Sequence, residues 1–368
     1  MGDNSPMDRR VLVMAGGTGG HVFPALAVAD KLRAKHVQIS WLGTRRGIES
    51  ELVPVRGFEL HCLDIEGIRG RGIKALIKAP LLLCRSISQA FKVLTEFKPA
   101  VVLGMGGFAS GPGAVAARLK GIPVVIHEQN SVAGTTNKLS AKIAKRVMLG
   151  FPDALDNGEW CGNPVRSDIA EMAAPQERFA GRTGRARILV LGGSRGALAI
   201  NKLVPEALAL IPSDQQPEIL HQAGKTHWLD TLELYKQQGI DTQSNAIEVV
   251  PFIEDMAAAY ARADFVICRA GALTIAELTS AGLGALLIPF PFAIDDHQTV
   301  NGQLLTDCGA AILVQQKNLS ASLLAEQIKA VCAAPEKRLH MAMQARLLAK
   351  NNAAERVAEV CMEVGYGQ

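Results

Sequence analysis

Short apolar runs alternate with amphipathic segments along the whole chain. In the first half, the runs typical of strands are VLVMA (11–15), VQISWLG (37–43), AVVLGMG (100–106), PVVIHE (123–128) and RVMLG (146–150). Segments with helical periodicity lie between them, such as PALAVADKLRAK (24–35) and SGPGAVAARLKG (110–121). Nearly continuous apolar strands that alternate with helices indicate a parallel sheet that is buried on both faces.

The second half of the chain repeats this arrangement. Its strand-like runs are ILVLGG (188–193), EILHQAG (218–224), IEVVPF (247–252), FVICRAG (265–271), ALLIPF (285–290) and AAILVQ (310–315). RVLVMAGGTGG (10–20) and RILVLGGSRGA (187–197) align without a gap, and in each an apolar strand runs into a glycine turn. Two such starts predict an α/β protein with two Rossmann-like domains. We expect the first at 8–164 and the second at 165–343, with a helix over 344–368 that packs back on the first.

The composition narrows the class of protein. Of the 368 residues, 48% are hydrophobic and 20% are charged, as in a well-packed globular protein. Aromatic residues make up 5%, which argues against base-stacking surfaces, so no nucleic-acid partner is expected. The seven cysteines form no CxxC pair, which predicts neither a disulfide framework nor a zinc site. No signal-peptide core is present, and the longest apolar stretch, 281–294, is too short to cross a bilayer.

The first glycine turn lies in AGGTGGHVFPALAVAD (15–30), between a strand and a helix. Backbone N–H groups and the helix dipole at such a junction favour an anion. The dinucleotide fingerprint fails, because Val22 stands at its third glycine position and no carboxylate ends the second strand, WLGTRRGIE, to hold a ribose. Further glycine clusters follow strands in GMGGFASGPG (104–113) and GGSRGA (192–197). Together the three turns point to a phosphate-rich or sugar-rich ligand.

Polar groups accompany these turns. His21 stands at a helix N-terminus, where the dipole lowers its pKa and favours a neutral ring that can accept a proton. The alternative is a histidine that only bonds to nearby backbone. HEQN (127–130) ends another strand, and Arg166 in GNPVR either reaches a diphosphate or is an exposed charge between domains.

The densest signal is CRAGALTIAELTSAGLGALLIPFPFAIDDHQTVNG (268–302). A helix that begins around Leu273, with Thr274 in its first turn, offers a second anion cradle. Glu277 either forms a capping box with Thr274 or accepts both hydroxyls of a ribose. DDHQ (295–298) lacks a D-x-D triplet, so we expect no metal site there.

The segment 67–98 interleaves basic and apolar residues. Its cationic residues include Arg69, Arg71, Lys74, Lys78 and Arg85, among leucines and isoleucines. Such a stretch can lie against anionic lipid headgroups. The alternative is a crossover helix with a solvated face.

Together these segments resemble the MurG family of peptidoglycan N-acetylglucosaminyltransferases over nearly the whole chain. The segments that carry the resemblance are GGTGGH, GMGGFASGPG, HEQN, GNPVR, GGSRGA, RAGALTIAE and DDHQTVN. The resemblance implies the GT-B glycosyltransferase fold, in which two Rossmann-like domains face a deep cleft. It implies inverting transfer of N-acetylglucosamine from UDP-N-acetylglucosamine (UDP-GlcNAc) to the 4-hydroxyl of MurNAc in undecaprenyl-diphosphate-MurNAc-pentapeptide. It implies no cofactor and no metal.

The resemblance also assigns residues. The implied UDP-GlcNAc contacts are Thr18, Gly19, Gly20, Asn130, Arg166, Ser194, Ile253, Ala272, Leu273, Thr274, Ile275, Ala276, Glu277 and Gln298. Among these, Glu277 would hold the ribose, the backbone near Ile253 the uracil, and the helix start at Leu273 the diphosphate. The implied acceptor-side residues are Gly106, Gly107, His127 and Glu128. His21 becomes the leading candidate for the general base.

Three positions depart from the family pattern: Phe108 stands where Tyr is common, Arg195 where Gln is common, and Ala270 where Ser is common. The resemblance places the chain at the cytoplasmic face of the bacterial inner membrane, with 67–98 on anionic lipid and other cell-wall synthesis and division proteins as partners. The rivals are another GT-B enzyme that uses a UDP-sugar, either a lipid glycosyltransferase or a UDP-GlcNAc 2-epimerase, and a membrane-associated cell-wall scaffold.

Overall fold

A computed structural model of the chain describes residues 9–65, 73–193, 196–242 and 246–367, with side chains for all of these except 73–78 and 294. Contacts divide the chain into two compact units. Unit 1 consists of Met1–Arg166 and Asn351–Gln368, and unit 2 is Ser167–Lys350.

Unit 1 is built on a parallel sheet. Its strands are β1 (Arg10–Ala15), β2 (Gln38–Thr44), β3 (Glu59–Leu63), β4 (Val101–Gly106), β5 (Val124–Glu128), β6 (Arg146–Leu149) and β7 (Glu159–Trp160). Their order across the sheet is β3-β2-β1-β4-β5-β6-β7. The two central strands, β1 and β4, are buried along almost their whole length, as their continuous apolar sequence predicted. The sequence analysis missed β3 and β7, because β3 alternates polar residues at the edge of the sheet and β7 has only two residues.

Helices cover both faces of this sheet. Those of unit 1 are α1 (Gly19–Ala34), α2 (Glu49–Val55), α3 (Ile73–Phe97), α4 (Ser110–Leu119), α5 (Thr135–Ala141) and α15 (Ala353–Tyr366). The apolar face of α15, which includes Val357 and Cys361, packs into the same core as α1. Arg356 on α15 forms a two-pronged ion pair with Glu159 of β7, at 2.7 and 3.2 Å. These contacts fasten the end of the chain to unit 1.

Unit 2 repeats the architecture. Its strands are β8 (Arg187–Leu191), β9 (Glu218–Gln222), β10 (Ile247–Val250), β11 (Phe265–Cys268), β12 (Ala285–Leu287) and β13 (Ala311–Leu313), in the order β10-β9-β8-β11-β12-β13. Its helices are α6 (Ser167–Ala170), α7 (Pro175–Phe179), α8 (Leu198–Ala209), α9 (Trp228–Gln237), α10 (Met256–Arg262), α11 (Ala272–Ala281), α12 (His297–Asp307), α13 (Ala321–Cys332) and α14 (Pro335–Leu347). Every pairing in both sheets is parallel, which confirms the predicted α/β fold of two Rossmann-like units.

The C-terminal segment differs from the single helix expected over 344–368. Residues 344–347 are the end of α14, which packs on α11 and α7 within unit 2. The chain then leaves helical geometry at Leu348–Asn352 and starts α15 in unit 1. No helix among the described residues combines the length and apolar composition that a membrane crossing requires.

Each sheet reverses its winding beside its first strand. In unit 1, β1 lies between β2 and β4, and in unit 2, β8 lies between β9 and β11. Parallel α/β sheets bind ligands beyond the carboxyl ends of the strands at such a switch point. The glycine turns singled out in the sequence follow β1, β4 and β8, and the RAGALT segment follows β11.

Candidate functional site

The glycine turn after β1 opens helix α1. Thr18 is extended, with φ −119° and ψ 163°, and its carbonyl oxygen accepts the N–H groups of His21 and Val22 at 3.1 and 3.2 Å. Gly19 and Gly20 form the first helical positions, whose N–H groups have no intrahelical acceptor. This helix start therefore presents backbone donors, as expected for a surface that approaches a diphosphate.

His21 lies in the first turn of α1 and is half-buried. Its Nδ1 lies 3.3 Å from the carbonyl oxygen of Gly16. Because a carbonyl oxygen only accepts, this bond requires the proton on Nδ1 and leaves Nε2 as an acceptor. Burial lowers the pKa of His21, and the charges of Glu128 and Glu49 and the Gly16 bond only partly offset this. The ring is therefore neutral near pH 7 and can take up a proton at Nε2.

The glycine turn after β4 packs directly on the first turn. A Cβ atom on Gly106 would lie 2.9 Å from Nε2 of His21, and one on Gly107 would lie 2.3 Å from the carbonyl oxygen of Gly16. Both glycines have positive φ, at 101° and 88°. This close approach with left-handed backbone requires glycine. The predicted acceptor-side glycines thus lie against the predicted base, with Phe108 half exposed beside them.

His127 and Glu128, the other predicted acceptor-side residues, are buried and hydrogen-bonded within unit 1. Nε2 of His127 donates to the carbonyl oxygen of Gly162 at 2.9 Å, and burial lowers the pKa of His127 to about 4. One carboxylate oxygen of Glu128 accepts the backbone N–H of Asn130 at 2.8 Å, and the other accepts Nδ2 of Asn137 at 2.9 Å. These two side chains shape the loop that carries Asn130. Their contact with an acceptor stays a prediction.

The structure adds Glu49, which the sequence analysis missed. β2 itself ends at Thr44 without a carboxylate, but a carboxylate from the next helix bonds this strand end. Glu49 begins α2, and its carboxylate folds back to accept the N–H and hydroxyl of Thr44 at 2.8 and 2.7 Å and the N–H of Gly17 at 2.9 Å. Glycines at 43 and 47, which leave room for this side chain, were the available signal.

In unit 2, helix α11 begins at Ala272, one residue earlier than expected. Its N-cap is Gly271, which has no side chain to bond the first N–H groups. Thr274 therefore lies inside the first turn rather than at the N-cap, and the capping-box alternative for Glu277 is wrong. Glu277 instead accepts a hydrogen bond from the Tyr260 hydroxyl at 2.9 Å. The start of α11 thus presents backbone donors one turn away from a carboxylate that α10 holds in place.

Other predicted contacts surround this helix start. Arg269, at the end of β11, donates to the carbonyl oxygens of Ile288 and Pro289 at 3.0 and 3.1 Å and so joins two strand ends. The side-chain oxygen of Gln298 accepts the N–H of Phe290 at 2.9 Å, and the amide nitrogen of Gln298 is a donor. Ile253 lies in the loop after β10 and is 9% exposed.

For two of the residues named from the sequence, the structure gives only the position and burial, and two others lie outside the described residues. Arg166 ends unit 1 and is half-buried, and Ala270 is buried directly after β11. Ser194 and Arg195 lie outside the described residues. Where side chains are described, no group of three His, Cys, Asp or Glu residues is arranged to hold a metal ion.

Comparison with known proteins places the chain in a family. The N-terminal domain of glycosyltransferase family 28 matches residues 11–149, and its C-terminal domain matches residues 187–358. The chain is 50% identical to the UDP-N-acetylglucosamine–N-acetylmuramyl-(pentapeptide) pyrophosphoryl-undecaprenol N-acetylglucosamine transferase of Nitrosococcus oceani, over 97% of this chain and 99% of that protein. Identity to the same-named transferase of Burkholderia pseudomallei is 49%, over 97% and 96% of the two chains. The crystal structure of Acinetobacter baumannii MurG superposes with a TM-score of 0.82 at 39% identity, over 96% of this chain and 99% of that one.

Two parallel α/β units with glycine turns at their switch points, matched by both domains of one transferase family, define a glycosyltransferase of the GT-B fold. The chain belongs to glycosyltransferase family 28 and, within it, to the MurG N-acetylglucosaminyltransferases, as the resemblance predicted.

Proposed function

We propose that this chain transfers N-acetylglucosamine from UDP-GlcNAc to the 4-hydroxyl of MurNAc in undecaprenyl-diphosphate-MurNAc-pentapeptide, with inversion at the sugar carbon. The observation that carries the proposal is the 50% identity to a transferase of that name over nearly the whole of both chains. The hydroxyl oxygen attacks C1 of the donor sugar while the bond from C1 to the diphosphate oxygen breaks. The electron pair of that bond leaves with UDP.

His21 is proposed to remove the proton from the attacking hydroxyl. Its neutral ring, with Nδ1 bonded to Gly16 and Nε2 beside Gly106, has the protonation state that a base needs. The glycine turns at 16–20 and 104–107 would let the acceptor sugar and its diphosphate approach the backbone closely.

The departing UDP is proposed to bind to unit 2. The N–H groups of Ala272, Leu273 and Thr274, which open α11, would donate to the diphosphate as its negative charge grows. Such preorganised donors stabilise a leaving group without a bound metal. Glu277, held by Tyr260, would accept ribose hydroxyls, and the backbone near Ile253 would bind the uracil.

Helix α3 is proposed to bind the membrane surface. The described part of this helix exposes Leu81, Leu82 and Leu83 by 74%, 40% and 45%, and Arg85 on the same helix is exposed too. Four other basic residues of the segment, Arg69, Arg71, Lys74 and Lys78, lie outside the described side chains. Exposed leucines in a segment rich in basic residues fit an anionic lipid surface, where a lipid-linked acceptor resides. The location proposed on this basis is the cytoplasmic face of the inner membrane.

The experiment that tests the function uses UDP-GlcNAc labelled in the sugar and a muramyl acceptor on a short prenyl diphosphate. We expect label in the lipid fraction only when acceptor is present, with one UDP released per transfer. Release of UDP and an altered free sugar without acceptor would instead identify an epimerase. If neither labelled lipid nor an altered free sugar forms, the scaffold alternative would be favoured.

Vesicle binding tests the membrane surface. L81D and L83D together should reduce sedimentation with vesicles that contain phosphatidylglycerol. L210D, directly after α8 of unit 2, also replaces an exposed leucine and should not reduce it. Equal sedimentation of all variants would contradict the assignment of α3.

A further inference from the structure

Glu49 is a carboxylate with no exposed surface, at the start of α2. Buried charges are costly unless hydrogen bonds satisfy them. Here the two carboxylate oxygens share the N–H of Gly17, the N–H of Thr44 and the hydroxyl of Thr44, at 2.7–2.9 Å. Charge-assisted bonds of this kind are among the stronger ones in proteins.

Three glycines leave room for this side chain. A Cβ atom would lie 2.4 Å from Oε1 of Glu49 if placed on Gly16, 2.7 Å from its Cγ on Gly43, and 1.9 Å from Oε2 on Gly47. These glycines come from the turn after β1, from β2 and from the loop before α2. A methyl group at any of them would displace the carboxylate.

The bond from Gly17 connects Glu49 to His21 through a single peptide group. The N–H of Gly17 and the C=O of Gly16 belong to the same planar peptide, so they point in opposite directions. The N–H is held by Glu49 at 2.9 Å, and the C=O bonds Nδ1 of His21 at 3.3 Å. Fixing one end of this plane therefore fixes the acceptor that orients the imidazole.

We propose that Glu49 is the positioning residue of His21, acting through the Gly16–Gly17 peptide. Its carboxylate orients the peptide, the peptide holds the proton on Nδ1, and Nε2 is thereby directed toward the acceptor hydroxyl. The catalytic consequence rests on the proposed role of His21 as the base. Loss of this orientation of the His21 ring should reduce the rate of transfer, because small misplacements of a catalytic group reduce rates strongly.

The charge of Glu49 acts on His21 as well. The negative groups that face the ring are Glu49 on α2 and Glu128 at the end of β5, and both raise the pKa of His21 against the lowering by burial. Removing the charge of Glu49 alone should therefore lower the pKa of His21 further. Since the base works only when neutral, the acid limb of activity should move to lower pH.

The decisive variant is E49Q. A glutamine best keeps its oxygen toward the two donors of Thr44, which turns its NH₂ group against the N–H of Gly17. We expect kcat to fall about 10-fold to 100-fold and the acid limb to move to lower pH. The Kd for UDP should stay unchanged, because the proposed uracil, ribose and diphosphate contacts lie in unit 2. Equal kcat and an unmoved acid limb in E49Q and wild type would overturn the proposal.

A matched control and a second variant separate positioning from folding. E51Q removes an exposed carboxylate from the same helix and should leave kcat and the acid limb unchanged. G47A keeps the charge of Glu49 but pushes its carboxylate away from Gly17, so kcat should fall as in E49Q. Normal kcat in a folded G47A would count against the proposal.

NMR titration tests the arrangement without any turnover. The His21 ring signals, assigned by their loss in H21Q, should titrate at lower pH in E49Q than in wild type and at the wild-type pH in E51Q. An unchanged titration in E49Q would overturn the coupling even if transfer activity is present. Absence of transfer in the wild type, with the titration shifted as expected, would instead overturn only the proposed function.

Discussion

The glycine turns after β1 and β8 follow strands that align without a gap, yet different hydrogen bonds hold the two turns. In unit 1 the turn is bonded by a charged side chain, since the N–H of Gly17 donates to the carboxylate of Glu49. In unit 2 the described start of the turn, Gly192, lies against neutral groups. The N–H of Gly192 donates to the carbonyl oxygen of Gln222 at 3.0 Å, and Nδ2 of Asn201 holds the next carbonyl, that of Ala223, at 2.8 Å.

The neutral arrangement extends into the core of unit 2. Because Asn201 uses Nδ2 as a donor, its oxygen accepts Nε2–H of His221 at 3.1 Å. Nδ1 of His221 is then left to accept the hydroxyl of Tyr235 at 2.9 Å. Burial lowers the pKa of His221 to about 3, so this ring carries no charge at neutral pH.

The neutral network in unit 2 and the carboxylate in unit 1 have different effects on the same kind of strand-to-helix turn. A neutral network fixes the shape of a turn and leaves its electrostatics to the backbone N–H groups, which suits the binding of an anion. A carboxylate fixes the shape and also raises the pKa of a nearby base. The carboxylate of Glu49 is therefore found at the turn that carries His21, the residue proposed to take up the proton.

The largest expected effect separates the two histidines. H21A should lower kcat by about 100-fold or more at saturating substrates, because it removes the proposed base. H221Q should instead lower the free energy of unfolding and leave kcat of the folded enzyme near the wild-type value. The labelled transfer assay gives both kcat values. An equal loss of kcat in H21A and H221Q would contradict the different roles assigned to the two turns.

Asn201 tests whether the second turn depends on its neutral network. N201A leaves the Ala223 carbonyl and Nε2 of His221 without their partner, and should cost about 1–3 kcal/mol in the free energy of unfolding. Urea unfolding measures this cost. K202A, at the exposed neighbouring position of the same helix, should change it little, and an N201A variant as stable as K202A would show that the network is dispensable.

The pH dependence of stability is expected to come from the buried neutral histidines. His127 and His221, with pKa values of about 4 and about 3, stay unprotonated in the folded chain at pH values where an unfolded histidine takes up a proton. The free energy of unfolding should therefore fall as the pH decreases below about 6.5, by about 1.4 kcal/mol per pH unit for each ring. Urea unfolding at pH 7, 6 and 5 measures the slope. In H221Q the slope should be smaller, and an identical slope would contradict the assignment.

The smallest effect is expected away from both turns. R356A removes the ion pair that joins α15 to Glu159 and a second pair, with Glu363, within α15. These groups are about one-third exposed, so the loss in the free energy of unfolding should stay below about 1 kcal/mol and shrink at high salt. Transfer activity should not change. A large loss of kcat in R356A would mean that the fixed end of the chain affects the turn of α1, on which α15 packs.

Local patterns predicted most of the fold. The continuous apolar runs predicted the central strands, because strands buried on both faces need apolar residues at nearly every position. The glycine clusters predicted the turns at the switch points, since backbone that approaches other backbone closely excludes side chains. The edge strand β3 was missed because its polar alternation resembles a loop.

The candidate site was less predictable where it depends on distant contacts. Glu49 meets Gly17 across 32 positions of sequence, and no local pattern reports that contact. The capping-box alternative at Thr274 was wrong because a capping box requires Thr274 at the N-cap, and the N-cap of α11 is Gly271. The break before α15 coincides with Asn351 and Asn352, a pair typical of a helix end, which the helical periodicity on either side obscured.

The most direct test of the account is the pH profile of kcat for the wild type and H21A, at saturating UDP-GlcNAc and acceptor. The account predicts that wild-type kcat falls with a one-proton acid limb below pH 6.5, the ordinary histidine value, because burial lowers the pKa of His21. It predicts that H21A keeps only a low activity with no such limb. An acid limb of the same position and shape in both proteins would show that His21 is not the base.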